Sequence, residues 1–170
     1  MTTRLYLTPG GADRLRRRVA ATRAAYQAVC DDNPAALESG DTSGWHDNFA
    51  FEENQRQMHQ LSRQVRELET LLGRATVVPL PRVSPERVIL GSRVTWTFSG
   101  EERPRTCWIS GWDDGDPDRG RVSYNSPLGA ALVGAEPGDE RDLRAVGAAR
   151  KIEVIEVNVI DPVEDTCEAV

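Results

Sequence analysis

The sequence lacks the features of a disulfide-bonded, membrane-spanning or nucleic-acid-coating protein. Its three cysteines are far apart and include no CxxC pair, so we expect neither a disulfide framework nor a zinc site. No apolar run approaches the roughly 18 residues of a membrane span, and the N-terminus has no apolar signal core. These absences predict a cytoplasmic protein without membrane contact. The net charge of −6 argues against coating of duplex nucleic acid, which requires many basic contacts to phosphates.

The first segment with a clear pattern, residues 8–31, is typical of a helix from a coiled coil. Thr8 can act as its N-cap, and Pro9 suits the first helical position. Its seam positions follow alternating spacings of four and three, although Thr22 is a weak member. These positions are Leu15, Val19, Thr22, Tyr26 and Val29.

The second segment, residues 47–73, has the strongest periodicity in the chain. Its intervening positions are polar, which indicates one narrow buried stripe, and Gly73 is a natural C-terminal stop. Pro34 disfavours a continuous helix between the two segments. We therefore expect an antiparallel hairpin over residues 1–78 with its tip at 38–47. The seam positions of the second helix are Phe51, Met58, Leu61, Val65, Leu68 and Leu72.

The C-terminal half changes to short alternating segments bounded by Gly and Pro. A linker with three prolines over 79–86 precedes a β-rich domain over 87–160, in which we expect Trp96 and Trp108 to be core residues. An acidic, loose tail is expected over 161–170. The fold class predicted is therefore α+β. The expected strands cover residues 88–96, 106–110, 122–124 and 152–159.

Several motifs resemble those of the Gre family of bacterial transcription elongation factors. Residues 8–12 (TPGGA) are similar to the opening of that family's first helix, and residues 40–43 (GDTS) to its tip motif. The most specific match is residues 123–134 (SYNSPLGAALVG), close to the signature of the family's C-terminal domain. The resemblance implies an FKBP-like domain that docks on the rim of RNA polymerase and a coiled coil that enters the secondary channel. The partner expected is therefore bacterial RNA polymerase.

The tip determines which activity the resemblance implies. In the cleavage factors of that family, an Asp and, three residues later, a Glu help to hold a second Mg²⁺ ion, which prefers oxygen ligands. Here Asp41 supplies the first carboxylate, but Gly44 occupies the second position, and Asp47 does not replace the missing acid. We expect a non-cleaving regulator that occupies the channel and inhibits transcription. The alternative is a cleavage factor that rescues backtracked polymerase through Mg²⁺ binding by Asp41. In either case we expect no enzyme and no cofactor of its own, at most a share in the active-site Mg²⁺ of polymerase.

The other polar tip residues have two interpretations each. Ser43 and Asp47 are candidates to assist at the polymerase active site, or they simply cap helices. Trp45 is a candidate partner contact, since Trp is enriched at binding hot spots, or it packs back on the hairpin. His46 is either a partner contact, a metal ligand together with Asp41, or a lone solvated side chain.

Two further groups take their roles from the resemblance. A basic cluster on the first helix would contact the 3′ end of the nascent RNA or the channel wall; equally, it forms a solvated face with Glu partners. The cluster is Arg14, Arg16, Arg17 and Arg18. A second group would dock on the polymerase; alternatively, it forms a rigid turn that plugs the β-rich domain. This group is Ser126, Pro127, Leu128 and Gly129.

A more distant interpretation is a peptidyl-prolyl isomerase, suggested only by the FKBP-like fold that the resemblance implies. Fold alone does not carry activity, and residues 87–160 contain few of the aromatics that line an isomerase pocket. An exposed hairpin whose seam is satisfied within the chain favours a monomer.

Overall fold

The computed structural model describes residues 5–38, 49–145 and 148–166, with side chains described over 5–32, 51–144 and 150–166. Its contacts divide the chain into two units. The hairpin unit is Arg14–Arg74, and the β-unit combines the residues through Asp13 with those from Ala75 onward. The hairpin is thus shorter at both ends than the predicted 1–78, and the first helix begins within the β-unit.

The hairpin unit consists of two helices, α1 (Pro9–Glu38) and α2 (Phe49–Arg74). All the predicted seam side chains are buried or half-buried, with mostly exposed positions between them, so the heptad assignment is confirmed. Arg23 pairs with Glu69 at 2.5 Å, and the Asn54 side-chain amide donates to the carbonyl of Val29 at 3.0 Å. The later residue of α1 thus meets the earlier residue of α2, which confirms the antiparallel arrangement.

Two predicted helix boundaries were wrong. α1 does not end at residue 31 but continues through Pro34 to Glu38, because proline removes one hydrogen bond of the ladder and the neighbouring residues keep theirs. α2 includes Gly73, which keeps a helical backbone, and ends at Arg74 where a strand follows at once. Gly73 therefore does not act as a C-cap.

The β-unit contains a parallel pair and a five-stranded sheet. The pair joins β1 (Leu5–Leu7) to β2 (Ala75–Val77). The larger sheet has the order β5-β4-β3-β7-β6, in which every neighbouring pair is antiparallel except β4 and β5. Its strands are β3 (Ser92–Phe98), β4 (Arg105–Ser110), β5 (Arg121–Ser123), β6 (Glu140–Ala145) and β7 (Ala148–Val159).

The sequence missed β6 and misplaced the first strand of the sheet. β6 reads ERDLRA and lies at the sheet edge, where Leu143 alone among its described side chains is buried. An edge strand with so many charges has no alternating apolar pattern to detect. Val88 is buried as expected, but it precedes β3 in irregular backbone.

One face of the sheet forms a connected apolar core under α3 (Pro127–Leu132). Trp96 and Trp108 are both buried, as predicted, although Trp108 lies on the opposite face of β4 from Cys107. Burial raises the pKa of the Cys107 thiol to about 11. The thiol is therefore a neutral core group. The core comprises Val88, Val94, Trp96, Phe98, Cys107, Ile109, Leu132, Ala135, Leu143, Ile152, Val154 and Val157.

The predicted loose tail was wrong for its first residues. A short helix, α4 (Pro162–Thr166), follows β7, and its Asp165 is fully buried. Two helices followed by a mixed β-domain confirm the α+β class. None of the helices in the described part of the chain is long and apolar enough to cross a membrane.

Candidate functional site

The base of α1 is built from both ends of the β-unit. The N–H of Gly11 donates to Thr8 Oγ1 at 3.0 Å, and the N–H of Ala12 donates to the Thr8 carbonyl at 2.9 Å. Thr8 is therefore the N-cap and Pro9 the first helical residue, as predicted. These two hydrogen bonds fix the residue at which α1 begins.

Asp165 of α4 completes this base. The Thr8 hydroxyl donates to Asp165 Oδ1 at 2.6 Å, and the N–H of Gly10 donates to Oδ2 at 2.7 Å. The buried carboxylate thus lies at the N-terminus of α1, where the helix dipole favours negative charge. A Cβ on residue 10 would overlap the Asp165 carbonyl, which explains Gly10. Sequence reasoning missed this partner because 155 positions separate residues 10 and 165.

The basic cluster of α1 is divided between two sides of the helix. Successive helical residues turn by about 100°, so Arg14, Arg17 and Arg18 share one side and Arg16 points to the other. Arg14 is half-buried, whereas the other three are exposed. Only three of the four predicted contact residues can therefore face one common partner surface.

The Ser126–Gly129 segment forms a tight helix start. The N–H of Gly129 donates to Ser126 Oγ at 3.1 Å, and Pro127 takes the first helical position of α3. Gly129 is buried, and a Cβ there would overlap the Ser123 carbonyl. Leu128 packs against the core. These contacts favour the rigid-turn interpretation for Leu128 and Gly129.

Ser126 and Pro127 remain accessible next to a surface depression. Ser126 is half-buried and Pro127 is exposed. The depression, of about 360 Å³, is also lined by Asp142 and Arg144 of β6. The turn therefore presents the rigid, apolar Pro127 beside the opposite charges of Asp142 and Arg144. The predicted docking role stays a prediction for these two residues.

The predicted tip residues lie outside the described part of the chain. This applies to Asp41, Ser43, Trp45, His46 and Asp47, so the metal and partner roles assigned to them stay predictions. Among the residues that the structure describes, no group of three or more His, Cys, Asp or Glu side chains could hold a metal ion.

Comparisons with known proteins cover both units. A family model described as "Transcription elongation factor, GreA/GreB, C-term" matches residues 83–159. Transcription elongation factor GreA of Roseiflexus castenholzii is 31% identical over 123 residues, which cover 72% of this chain and 76% of that protein. GreA of Rhizobium leguminosarum bv. trifolii is 30% identical over 165 residues, covering 93% and 99%. The solved structure of GreA factor homolog 1 (Gfh1) of Thermus thermophilus matches with a TM-score of 0.41 at 24% identity, covering 91% and 99%.

Proposed function

Because this chain belongs to the GreA/GreB family of transcription elongation factors, we propose that it is an elongation factor that acts on bacterial RNA polymerase. The observation that carries the proposal is the 30% identity to a GreA over 99% of that protein's length. The alignment includes both the hairpin unit and the β-unit, so the proposal extends to the whole chain.

The name of the relatives favours the elongation-factor interpretation over the inhibitory regulator that Gly44 suggested. In this proposal the polymerase cuts its own backtracked RNA, and the chain contributes Asp41 as a Mg²⁺ ligand. The chain itself performs no catalysis. α1 has 30 residues, which at about 1.5 Å each give a helix of about 45 Å. A helix of that length, capped at its base, supports the proposal that the tip at residues 38–47 enters the secondary channel.

Basic residues of the hairpin give the proposal an electrostatic component. Arg14, Arg17 and Arg18 share a side of α1 on which phosphates of the nascent RNA or acidic groups of the channel wall would bind. Contacts of this kind weaken as salt screens them. Their contribution is therefore expected to fall between low and high ionic strength.

A cleavage assay on backtracked polymerase tests the proposed activity. Purified polymerase is stalled in a backtracked complex, the protein is added, and shortened transcripts are measured. We expect the protein to stimulate cleavage and Asp41→Asn to abolish this effect. Asp32→Asn is the control, because it removes the same charge from an exposed position of α1 and should leave cleavage unchanged. Gly44→Glu restores the second carboxylate and is expected to increase cleavage. Slowed elongation with no cleavage would instead support the inhibitory regulator.

A binding assay tests the docking surface separately. We expect Pro127→Ala to weaken binding to core polymerase about tenfold, which corresponds to about 1.4 kcal/mol. Pro137→Ala is the matched control, because Pro137 is an exposed proline of the same unit outside the depression. Failure of the unmodified protein to bind core polymerase would refute the proposed function as a whole.

A further inference from the structure

A second cavity of the β-unit, of about 460 Å³, lies on the sheet face that carries Trp108. Arg93 of β3 and Arg121 of β5 are both paired in register with Trp108 of β4, so the three side chains emerge on the same face. Arg119 and Glu164 also line the cavity. Its size is typical of a pocket for a small molecule.

Arg121 has unmet hydrogen-bonding capacity at this cavity. Its side chain is only 8% exposed, and Nη2 donates to Asp116 Oδ2 at 2.8 Å. Nε and Nη1 are buried and have no hydrogen-bond partner among the residues that the structure describes. A guanidinium has five N–H donors and no acceptor, so only an acceptor atom can satisfy the remaining ones. Buried charged groups normally have such partners, which makes Arg121 an exception that calls for an acceptor.

The charges around the cavity leave an excess of positive charge. Asp116 is shared by two arginines, since Arg119 Nε also lies 3.5 Å from Asp116 Oδ2. Arg93 pairs with Glu164. Among the residues that the structure describes at the cavity, arginines thus outnumber carboxylates by three to two, although the chain as a whole carries a net charge of −6. A local positive excess in a partly enclosed site attracts an anion, because solvent screens it less than at an open surface.

We propose that this cavity binds a small organic anion whose phosphate or carboxylate group accepts hydrogen bonds from Arg121 and Arg119. Arginine is suited to both groups because its planar guanidinium donates several charge-assisted hydrogen bonds. The cavity is larger than a bare oxyanion needs, and Trp108 provides an apolar wall for the rest of the ligand. The site is separate from the tip and from the Ser126–Pro127 depression, so it goes beyond the proposed action on polymerase.

Nuclear magnetic resonance of the arginine side chains in the full-length protein tests this site. The Nε–H resonance of Arg121 reports on changes in the hydrogen bonding and surroundings of this guanidinium. We expect phenyl phosphate or benzoate to shift its resonance, with saturation at millimolar or lower concentration. Stronger binding of phenyl phosphate identifies a phosphate site, and stronger binding of benzoate identifies a carboxylate site. If phenyl phosphate, benzoate and inorganic phosphate all leave the Arg121 resonance unchanged at tens of millimolar, the proposal is overturned.

Two variants and a control locate the binding. Arg121→Gln is expected to abolish binding, and Arg119→Gln, at the more exposed rim, to weaken it about tenfold. Arg103→Gln removes the same charge from the exposed loop between β3 and β4 and should leave the affinity unchanged. If Arg121→Gln does not fold, Arg119→Gln still decides, because binding that is unaffected by this substitution would contradict the proposed site.

Discussion

The two units of this chain bury their apolar side chains in different ways. The β-unit has a connected core that includes fully buried Ile109, Leu132, Ile152 and Val154. The hairpin unit has a single seam, in which Val19, Thr22 and Leu68 are buried and the other seam residues only half-buried. A narrow seam stabilises less per residue than a core because each side chain keeps part of its surface in water.

The two units also differ in how far apart in sequence their contacting residues lie. The hairpin consists of contacts between nearby turns of two helices, which a heptad pattern encodes locally. The β-unit joins residues from both ends of the chain, and its Thr8–Asp165 contact holds the first turn of α1. The β-unit thus combines the larger share of stability with the start of the helix that leads to the tip. Four substitutions probe this contrast.

The largest effect is expected for Ile109→Ala in the core of the β-unit. Ile109 is fully buried, so the substitution leaves a cavity and should lower the free energy of unfolding by roughly 2–5 kcal/mol. Urea denaturation followed by tryptophan fluorescence measures the loss. Ile155→Ala is the matched control, since Ile155 is exposed and should cost less than about 1 kcal/mol. Equal losses would mean that burial does not distinguish the two positions.

Asp165→Ala is expected to come next, with a loss of roughly 2–3 kcal/mol in the free energy of unfolding. The substitution removes a charged acceptor and leaves the Thr8 hydroxyl and the Gly10 N–H without it. Thermal or urea denaturation gives the value. Asp118→Ala, which removes an exposed carboxylate from the same unit, should have little effect. A similar loss in both variants would show that the contact with α1 contributes nothing specific.

A smaller loss, about 1 kcal/mol, is expected for Leu61→Ala in the hairpin seam. Leu61 is half-buried, so truncation exposes less new apolar surface than at Ile109. Far-ultraviolet circular dichroism during urea denaturation follows the helices. The neighbouring exposed Gln60→Ala serves as control. A loss as large as that of Ile109→Ala would refute the contrast between seam and core.

The smallest effect is expected for Arg23→Gln, which breaks the pair with Glu69. Both side chains are partly exposed, at 64% and 37%, so the loss should be about 0.5 kcal/mol at low salt and vanish near 1 M salt. The comparison is with Arg63→Gln, an exposed arginine of α2. A loss that persists at high salt would assign Arg23 a packing role instead of an electrostatic one.

Local patterns predicted the hairpin well because its contacts repeat every few residues. The seam from Leu15 to Val29, the cap at Thr8 and the burial of Trp96 and Trp108 were all accessible in this way. The helix ends predicted from Pro34 and Gly73 were wrong, because the hydrogen bonds of neighbouring residues outweigh the helix preference of a single residue. The Gre resemblance was confirmed, whereas the preference for an inhibitory regulator, drawn from Gly44 alone, was not supported.

The sequence by itself determined the α+β order and the heptad seam, because these depend on residue types at short, regular spacings. It also indicated the family, because residues 123–134 resemble the signature of a known domain. Tertiary structure alone decided which distant groups meet. It placed Asp165 under α1, set the charged strand β6 at the sheet edge, and buried Arg121 with two nitrogen atoms lacking partners among the described residues. No local pattern encodes such contacts, because the strand order and the chain path bring together residues that lie far apart in sequence.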